Sequence, residues 1–225
     1  MSAEKLILGY WAIRGRAGVL RNLLHYCEVP YINRLYKTNE EWYQKDKQEL
    51  KFRYPNLPYI IDGKIHVTES PAIMHYIPLK GNMPELLGET DEKHIDVLEA
   101  VSVGMDLRDS LRRLVATKGD FEVEKERAFT SPESKMRAKL SQFDAVLSEK
   151  EWLTGNLTIA DFYLFERVDM IHEIESSRLA AFPNLVSFRE RFLQIPKVKA
   201  HRESENFIKL WQIPGTTVWN NGDKM

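Results

Sequence analysis

Hydrophobic positions change their period several times along the chain. Leu6-Ile7-Leu8 is a short apolar run closed by Gly9, the pattern of a buried strand. From Arg16 the spacing becomes helical: Leu20, Leu23, Leu24 and Cys27 form a stripe, with Arg14, Arg16, Arg21 and Glu28 off it. Pro30 ends this helix, and Tyr31–Tyr36 reads as a second strand, completing a βαβ unit. Residues 37–53 are polar and lysine-rich, with Trp42, Tyr43 and Phe52 interspersed, and predict a long connection with a helical turn or two. Tyr59-Ile60-Ile61 and residues 64–68 are strand-like runs across Asp62-Gly63, a hairpin signal because such a turn needs positive φ. Ser70 is then expected to cap a helix carrying Ile73, Met74, Tyr76 and Ile77, with Pro71 at its first position.

Strand patterns stop there. Residues 83–90, marked by Pro84 and Gly88, read as a link between residues 1–82 and residues 91–225. Residues 96–115 predict one long helix and 132–147 another. Thr158-Ile159-Ala160-Asp161 has the form of a capping box, in which each side chain bonds the other residue's free N–H. It opens a helix with Phe162, Phe165, Val168, Ile171 and His172 on one side, and residues 183–193 and 196 onward predict shorter helices. The expected architecture is a small α/β domain followed by an all-helical one, without internal repeats.

Composition narrows the function without naming it. The chain has 225 residues, with 32 Lys plus Arg against 33 Asp plus Glu and a formal charge of −1. That balance argues against nucleic acid or an anionic membrane as the main partner. A single cysteine excludes an internal disulfide, a thiolate zinc site and a Cys-x-x-Cys redox pair. No apolar run approaches the ~18 residues of a membrane span, and the first residues lack a signal-peptide pattern, so a cytoplasmic, water-soluble protein is expected.

Several residues are placed where chemistry occurs. Tyr10 and Trp11 lie just past the first predicted strand, where open α/β sheets bind ligands. The Tyr10 hydroxyl either donates to a developing anion or is a satisfied group on a half-buried ring. Pro55-Asn56-Leu57-Pro58 leads into the hairpin, and spacing leaves the Leu57–Pro58 isomer open. Glu69-Ser70 is either an ordinary helix cap or a carboxylate site at a helix start. Trp42 with Lys45 and Lys47 is a second such position, or two solvated charges beside an indole. Cys27 lies on an apolar stripe and reads as packing rather than as a nucleophile. His25 and His75 have no further ligand at metal spacing, so no metal site is expected.

Taken together these segments resemble a cytosolic glutathione transferase, most closely the mu class. The matching stretches are Leu8-Gly9-Tyr10-Trp11-Ala12-Ile13-Arg14-Gly15, Pro55-Asn56-Leu57-Pro58-Tyr59-Ile60-Ile61-Asp62-Gly63 and Thr68-Glu69-Ser70-Pro71-Ala72-Ile73. Gly88-Glu89-Thr90, Thr158-Ile159-Ala160-Asp161-Phe162, Ala181-Phe182-Pro183-Asn184-Leu185 and Val218-Trp219 follow in the same order. The resemblance implies a thioredoxin-like N-terminal domain, an all-α C-terminal domain and a homodimer. Its expected activity is conjugation of glutathione to small hydrophobic electrophiles, a detoxification reaction with glutathione as co-substrate and no cofactor.

It also assigns roles. Tyr10 would hydrogen-bond the glutathione sulfur, with Trp11 beside it. Ser70 and Glu69 would hold the γ-glutamyl end, and Leu57, before a cis Pro58, would pair its backbone with the cysteinyl unit. Trp42, Asn56 and Lys47, or Lys45 on a different count, would hold the glycine end. Asp106 would reach the partner subunit's glutathione, and Tyr54 would plug into the partner. Ile13, Arg16 and Ala116 would line the electrophile pocket, with a tail running from Phe207 to Trp219. Ala116 replaces a tyrosine that assists the electrophile, Asn39 replaces an arginine, and Pro78 interrupts the expected helix. Those departures keep open a non-catalytic, ligand-binding or crystallin-like relative. A thioredoxin-type redox protein would need a cysteine near position 10, where Tyr10 stands.

Overall fold

Gly9 does not end the first strand but lets it continue. It pairs with Tyr59 across the sheet, and a Cβ on Gly9 would lie 2.2 Å from the Tyr59 ring. Without that carbon the strand passes the ring and carries Tyr10 and Trp11 as its last two residues. The computed structural model describes residues 5–212; the expected roles of Val218, Trp219 and most of the tail lie outside them.

The N-terminal half is β1 (Leu6–Trp11), α1 (Gly18–Tyr26) and β2 (Tyr31–Tyr36), then a widened π-helical turn (Glu40–Asp46) running into α2 (Lys47–Glu49). β3 (Tyr59–Asp62), β4 (Ile65–Thr68) and α3 (Ser70–Lys80) complete it. The sheet order is β2-β1-β3-β4, with β1 parallel to β2 and antiparallel to β3, and β3 antiparallel to β4. Asp62 pairs with Ile65, so the hairpin turn is Gly63-Lys64, one residue later than the sequence pattern suggests. Glu69, not Ser70, occupies the cap position of α3; its side chain makes no capping bond, and Ser70 is the first helical residue. α3 also runs through Pro78 to Lys80 instead of stopping there.

A 3-10 turn (Pro84–Leu87) leads to the helical part: α4 (Asp91–Val115), α5 (Phe121–Thr130), α6 (Lys135–Glu149), α7 (Ile159–Glu175), α8 (Pro183–Leu193) and α9 (Pro196–Glu203). α4 begins five residues earlier than the apolar pattern suggests, because Thr90 accepts the Lys93 N–H and starts it. α5 has no counterpart in the sequence reading. At the start of α7 the buried Asp161 carboxylate accepts the N–H groups of Thr158 (2.8 Å) and Leu153 (2.9 Å).

α7 is the centre of the molecule. Its buried residues surround the whole helix, not one side of it, and include Glu166, Arg167 and Asp169. α4 packs on α7 and α6, while α1 packs on α3, α7 and α9, so α1 joins the sheet to the helical part. No helix among the described residues is long and apolar enough to cross a membrane.

Candidate active site

Tyr10 ends β1 with its ring buried and its hydroxyl wrapped by the loop that follows. The phenolic oxygen accepts the Arg16 N–H at 3.1 Å. Gly15 makes this possible: its φ is +42°, and a Cβ there would lie 2.8 Å from the Tyr10 hydroxyl. A phenol donates one hydrogen bond and accepts through its lone pairs. The oxygen therefore receives one N–H while its own proton has no acceptor among the described residues.

Two buried arginines fix that loop. Both lie off the apolar stripe of α1, yet neither faces solvent. Arg21 reaches back from α1 and donates to the Ile13 carbonyl at 2.7 Å and the Trp11 carbonyl at 3.4 Å. Its burial brings its pKa down to about 10. Arg14 points the other way, into α7, where its guanidinium meets Glu166 at 2.8 Å and Asp169 at 2.9 Å. Asn22 also donates to Glu166, at 2.8 Å, and Arg189 and Arg202 close around Asp169. Polar groups buried this deeply are tolerable because each carboxylate is fully paired.

A second group forms where the β3 loop meets α3. The Leu57–Pro58 peptide is cis. The Leu57 N–H, expected to face a ligand, is donated to Asn56 Oδ1 at 2.9 Å. The Asn56 amide in turn donates to Glu69 Oε1 at 2.8 Å. Glu69 has φ +68°, a left-handed value, and it tilts the chain into α3. Ser70 is buried, and its hydroxyl makes no hydrogen bond among the described residues.

Trp42 is more buried than a surface carboxylate clamp requires, stacked on Tyr59 at 6.0 Å and edge-on to Tyr36 at 5.4 Å. Lys45 is exposed, whereas Lys47 is half-buried with its ammonium 5.3 Å from the Tyr43 ring. Trp11 packs against Tyr36 and Tyr43. Tyr54 stands 67% exposed on the loop before Pro55. Asp106 is exposed on α4 and pairs with Lys139 at 3.3 Å.

Beside Tyr10 lies a cavity of about 70 Å³. Ile13 and Arg16 line it, and Ala116 does not. Ala116 is exposed at the C-terminal end of α4, one turn beyond the residues that form the wall. Arg108, Leu111 and Arg112 take its place, with Arg167 and Met170 from α7 and Trp211 from the segment after α9. The sequence reading missed the five helix residues, whereas Trp211 falls within the tail it named. Arg108, Leu111 and Arg112 do share one face of a helix at i, i+3 and i+4 spacing. Their charge disguises that face as a solvated one.

The remaining candidates are structural. Cys27 is buried, and burial pushes its thiol up to about 12. His25 stacks on His201 at 3.8 Å, and His75 is 2.9 Å from the Pro71 carbonyl.

Comparison with known proteins places the chain in a family. Residues 7–78 match the family described as glutathione S-transferase, N-terminal domain. Residues 105–205 match glutathione S-transferase, C-terminal domain. The chain is 35% identical to glutathione S-transferase Mu 1 of Bos taurus, over 96% of this chain and 99% of that protein. It is 37% identical to glutathione S-transferase 2 of Gallus gallus, over 95% and 97%. Among solved structures, the pi-class glutathione S-transferase of Onchocerca volvulus superposes with a TM-score of 0.75 at 25% identity, covering 89% of this chain and 93% of that one.

Proposed function

Because the chain belongs to the glutathione S-transferase family, we propose that it conjugates the thiolate of glutathione to small hydrophobic electrophiles, with the Tyr10 hydroxyl stabilising the sulfur. The observation that carries this reading is the Tyr10 phenol, held by an N–H from Arg16 with its own proton unspent. A free thiol titrates near ~8.5, so lowering it by ~2 pH units needs roughly 2.7 kcal/mol. One hydrogen bond to a charged group contributes ~1.5–3 kcal/mol, which is enough. The thiol proton passes to solvent, the sulfur bonds to the electrophilic carbon, and the leaving group departs with its electron pair. Glutathione is the co-substrate, and the step asks for no metal or redox cofactor.

Residues 1–82 would hold the tripeptide and residues 91–225 would supply the electrophile wall, joined by residues 83–90. Ser70, with a free hydroxyl at the positive end of α3, suits the γ-glutamyl carboxylate, with Glu69 beside it. Leu57 meets the cysteinyl unit once the Asn56 side chain releases its N–H, and that release frees Asn56 for the glycine end. Trp42 and Lys47 complete that end; the half-buried Lys47 is the better placed of the two lysines. Trp11 would back the site. Asp106 and Tyr54, both exposed, would act across a homodimer in the cytoplasm.

A non-catalytic, ligand-binding or crystallin-like role is favoured by one observation: among the described residues lining the cavity Tyr10 carries the only hydroxyl, so no second one assists the electrophile. Conjugation of glutathione to 1-chloro-2,4-dinitrobenzene separates the two readings. Tyr10→Phe should lower kcat/KM by one to two orders of magnitude, about 1.4–2.7 kcal/mol. Equal rates would remove Tyr10 from the mechanism, and tight glutathione binding without turnover would favour the binding protein.

A further inference from the structure

Four arginines line the cavity beside Tyr10, and none of its lining residues among those described is acidic. Arg16 comes from the loop after β1, Arg108 and Arg112 from one face of α4, and Arg167 from α7. Burial, and then the charges of Arg16 and Arg167, lower the pKa of Arg108, so these guanidiniums sense one another. Among the described residues, the acidic contact of Arg108 is its exposed chain neighbour, Asp109, at 2.7 Å.

Arg167 is the informative member. It is 4% exposed, its Nε has no hydrogen-bond partner, and no ion pair reaches it from any described residue. It lies 5.2 Å from the face of Tyr163. Arg14 is equally buried at 3%, yet Glu166 and Asp169 both pair with it. The same helix, α7, therefore neutralises one buried arginine and leaves its neighbour in sequence to Glu166 without an acceptor. A guanidinium in that state, facing a cavity without a counter-charge, gains most when an anion reaches it.

We propose that this cavity is an anion site, and that the electrophile it selects carries a carboxylate or sulfonate bound by Arg167 and flanked by Arg16, Arg108 and Arg112. The proposal rests on the reading that Tyr10 serves the glutathione thiolate, and it adds the class of the second substrate. A planar guanidinium holds a carboxylate or sulfonate through two parallel hydrogen bonds, which fixes orientation as well as charge. The overall charge of −1 conceals this concentration of positive charge.

Two chloroarenes test it: 4-chloro-3,5-dinitrobenzoate and neutral 1-chloro-2,4-dinitrobenzene. In each, the carbon–sulfur bond forms, the carbon–chlorine bond breaks, chloride leaves with the electron pair, and the thiol proton goes to water. Arg167→Gln should lower kcat/KM for the benzoate about tenfold or more relative to the neutral arene, mainly through KM, with Arg167→Lys restoring part. Arg112→Leu, at an exposed position, should shift the same ratio in the same direction and serves if Arg167→Gln does not fold cooperatively. Unreactive 3,5-dinitrobenzoate, titrated calorimetrically in the presence of glutathione, should bind more tightly than 1,3-dinitrobenzene.

Equal losses on both chloroarenes, with a raised thiolate pKa of bound glutathione, would show that the arginines act on the sulfur and would overturn the proposal. Turnover of both arenes without preference for the anion would also overturn it while leaving the conjugation reading intact. Tight binding of 3,5-dinitrobenzoate without any turnover would support the anion site and sink conjugation instead.

Discussion

Replacing Asp169 with asparagine exchanges one carboxylate oxygen for an amide and removes a charge from the interior. Asp169 is fully buried on α7, and its oxygens meet Arg14 at 2.9 Å, Arg189 at 2.8 Å and Arg202 at 2.9 Å. Burial favours the protonated acid, but the three arginines more than reverse this and hold its pKa at about 2. A carboxyl group depressed in this way stabilises the fold fully above its ordinary pKa of 3.8, and that stabilisation is lost as pH falls towards 2. The difference, at ~1.36 kcal/mol per pH unit, is about 2 kcal/mol. Asparagine also turns an NH₂ group towards the arginines, so the loss at neutral pH should exceed that, towards the ~3–5 kcal/mol typical of breaking a buried pair. Urea unfolding of both proteins at pH 7, 4 and 2.5, at one protein concentration, reads this directly. The gap should be largest at pH 7, nearly the same at pH 4, and smaller at pH 2.5. A gap below about 1 kcal/mol at pH 7, or one that stays constant down to pH 2.5, would refute the reasoning.

Two further outcomes follow from single contacts. Gly15→Ala places a Cβ 2.8 Å from the Tyr10 hydroxyl at φ +42°, where a non-glycine residue costs roughly 1–2 kcal/mol. It should lower both melting temperature and conjugation rate; an alanine variant with wild-type kcat would mean that the loop does not hold the phenol. Cys27, with its thiol pushed up to about 12 by burial, should resist iodoacetamide at pH 8 in the native protein and react once urea unfolds it. Rapid native alkylation would show that the α1 stripe opens to solvent.

What the sequence made legible was whatever depended on neighbours in the chain. The hairpin was visible because Asp62-Gly63 announces a turn, even though tertiary pairing moved that turn by one residue. α7 was visible from Thr158 and Asp161. α5 was not, because only Lys125 and Phe129 of its residues are buried, too few to form an apolar stripe. Arg14 reads as a polar position off the helix stripe, since nothing local indicates that Glu166 waits 152 residues away, and Arg21 does so because its partners are backbone carbonyls, which no side-chain pattern marks. Arg108, Arg112 and Arg167 were missed for the same reason as Arg14. A charged face on α4 looks solvated until α7 and the β1 loop close over it.

The two halves of the candidate site are built from contacts of very different reach along the chain. Around the phenol the links span 6, 8 and 10 residues: Arg16 to Tyr10, Arg21 to Ile13 and Arg21 to Trp11. The arginine wall exists only when α4, α7 and the β1 loop have all assembled. Short loops close early and at little entropic cost, whereas long ones wait for the global fold. The hydrogen bonds nearest the phenol can therefore be inherited within about twenty consecutive residues, with Arg14 tying that stretch to α7, while substitutions in two distant helices redraw what it is offered. On the proposed role of Tyr10, a lineage can change its acceptor many times while the sulfur-binding phenol stays as it is.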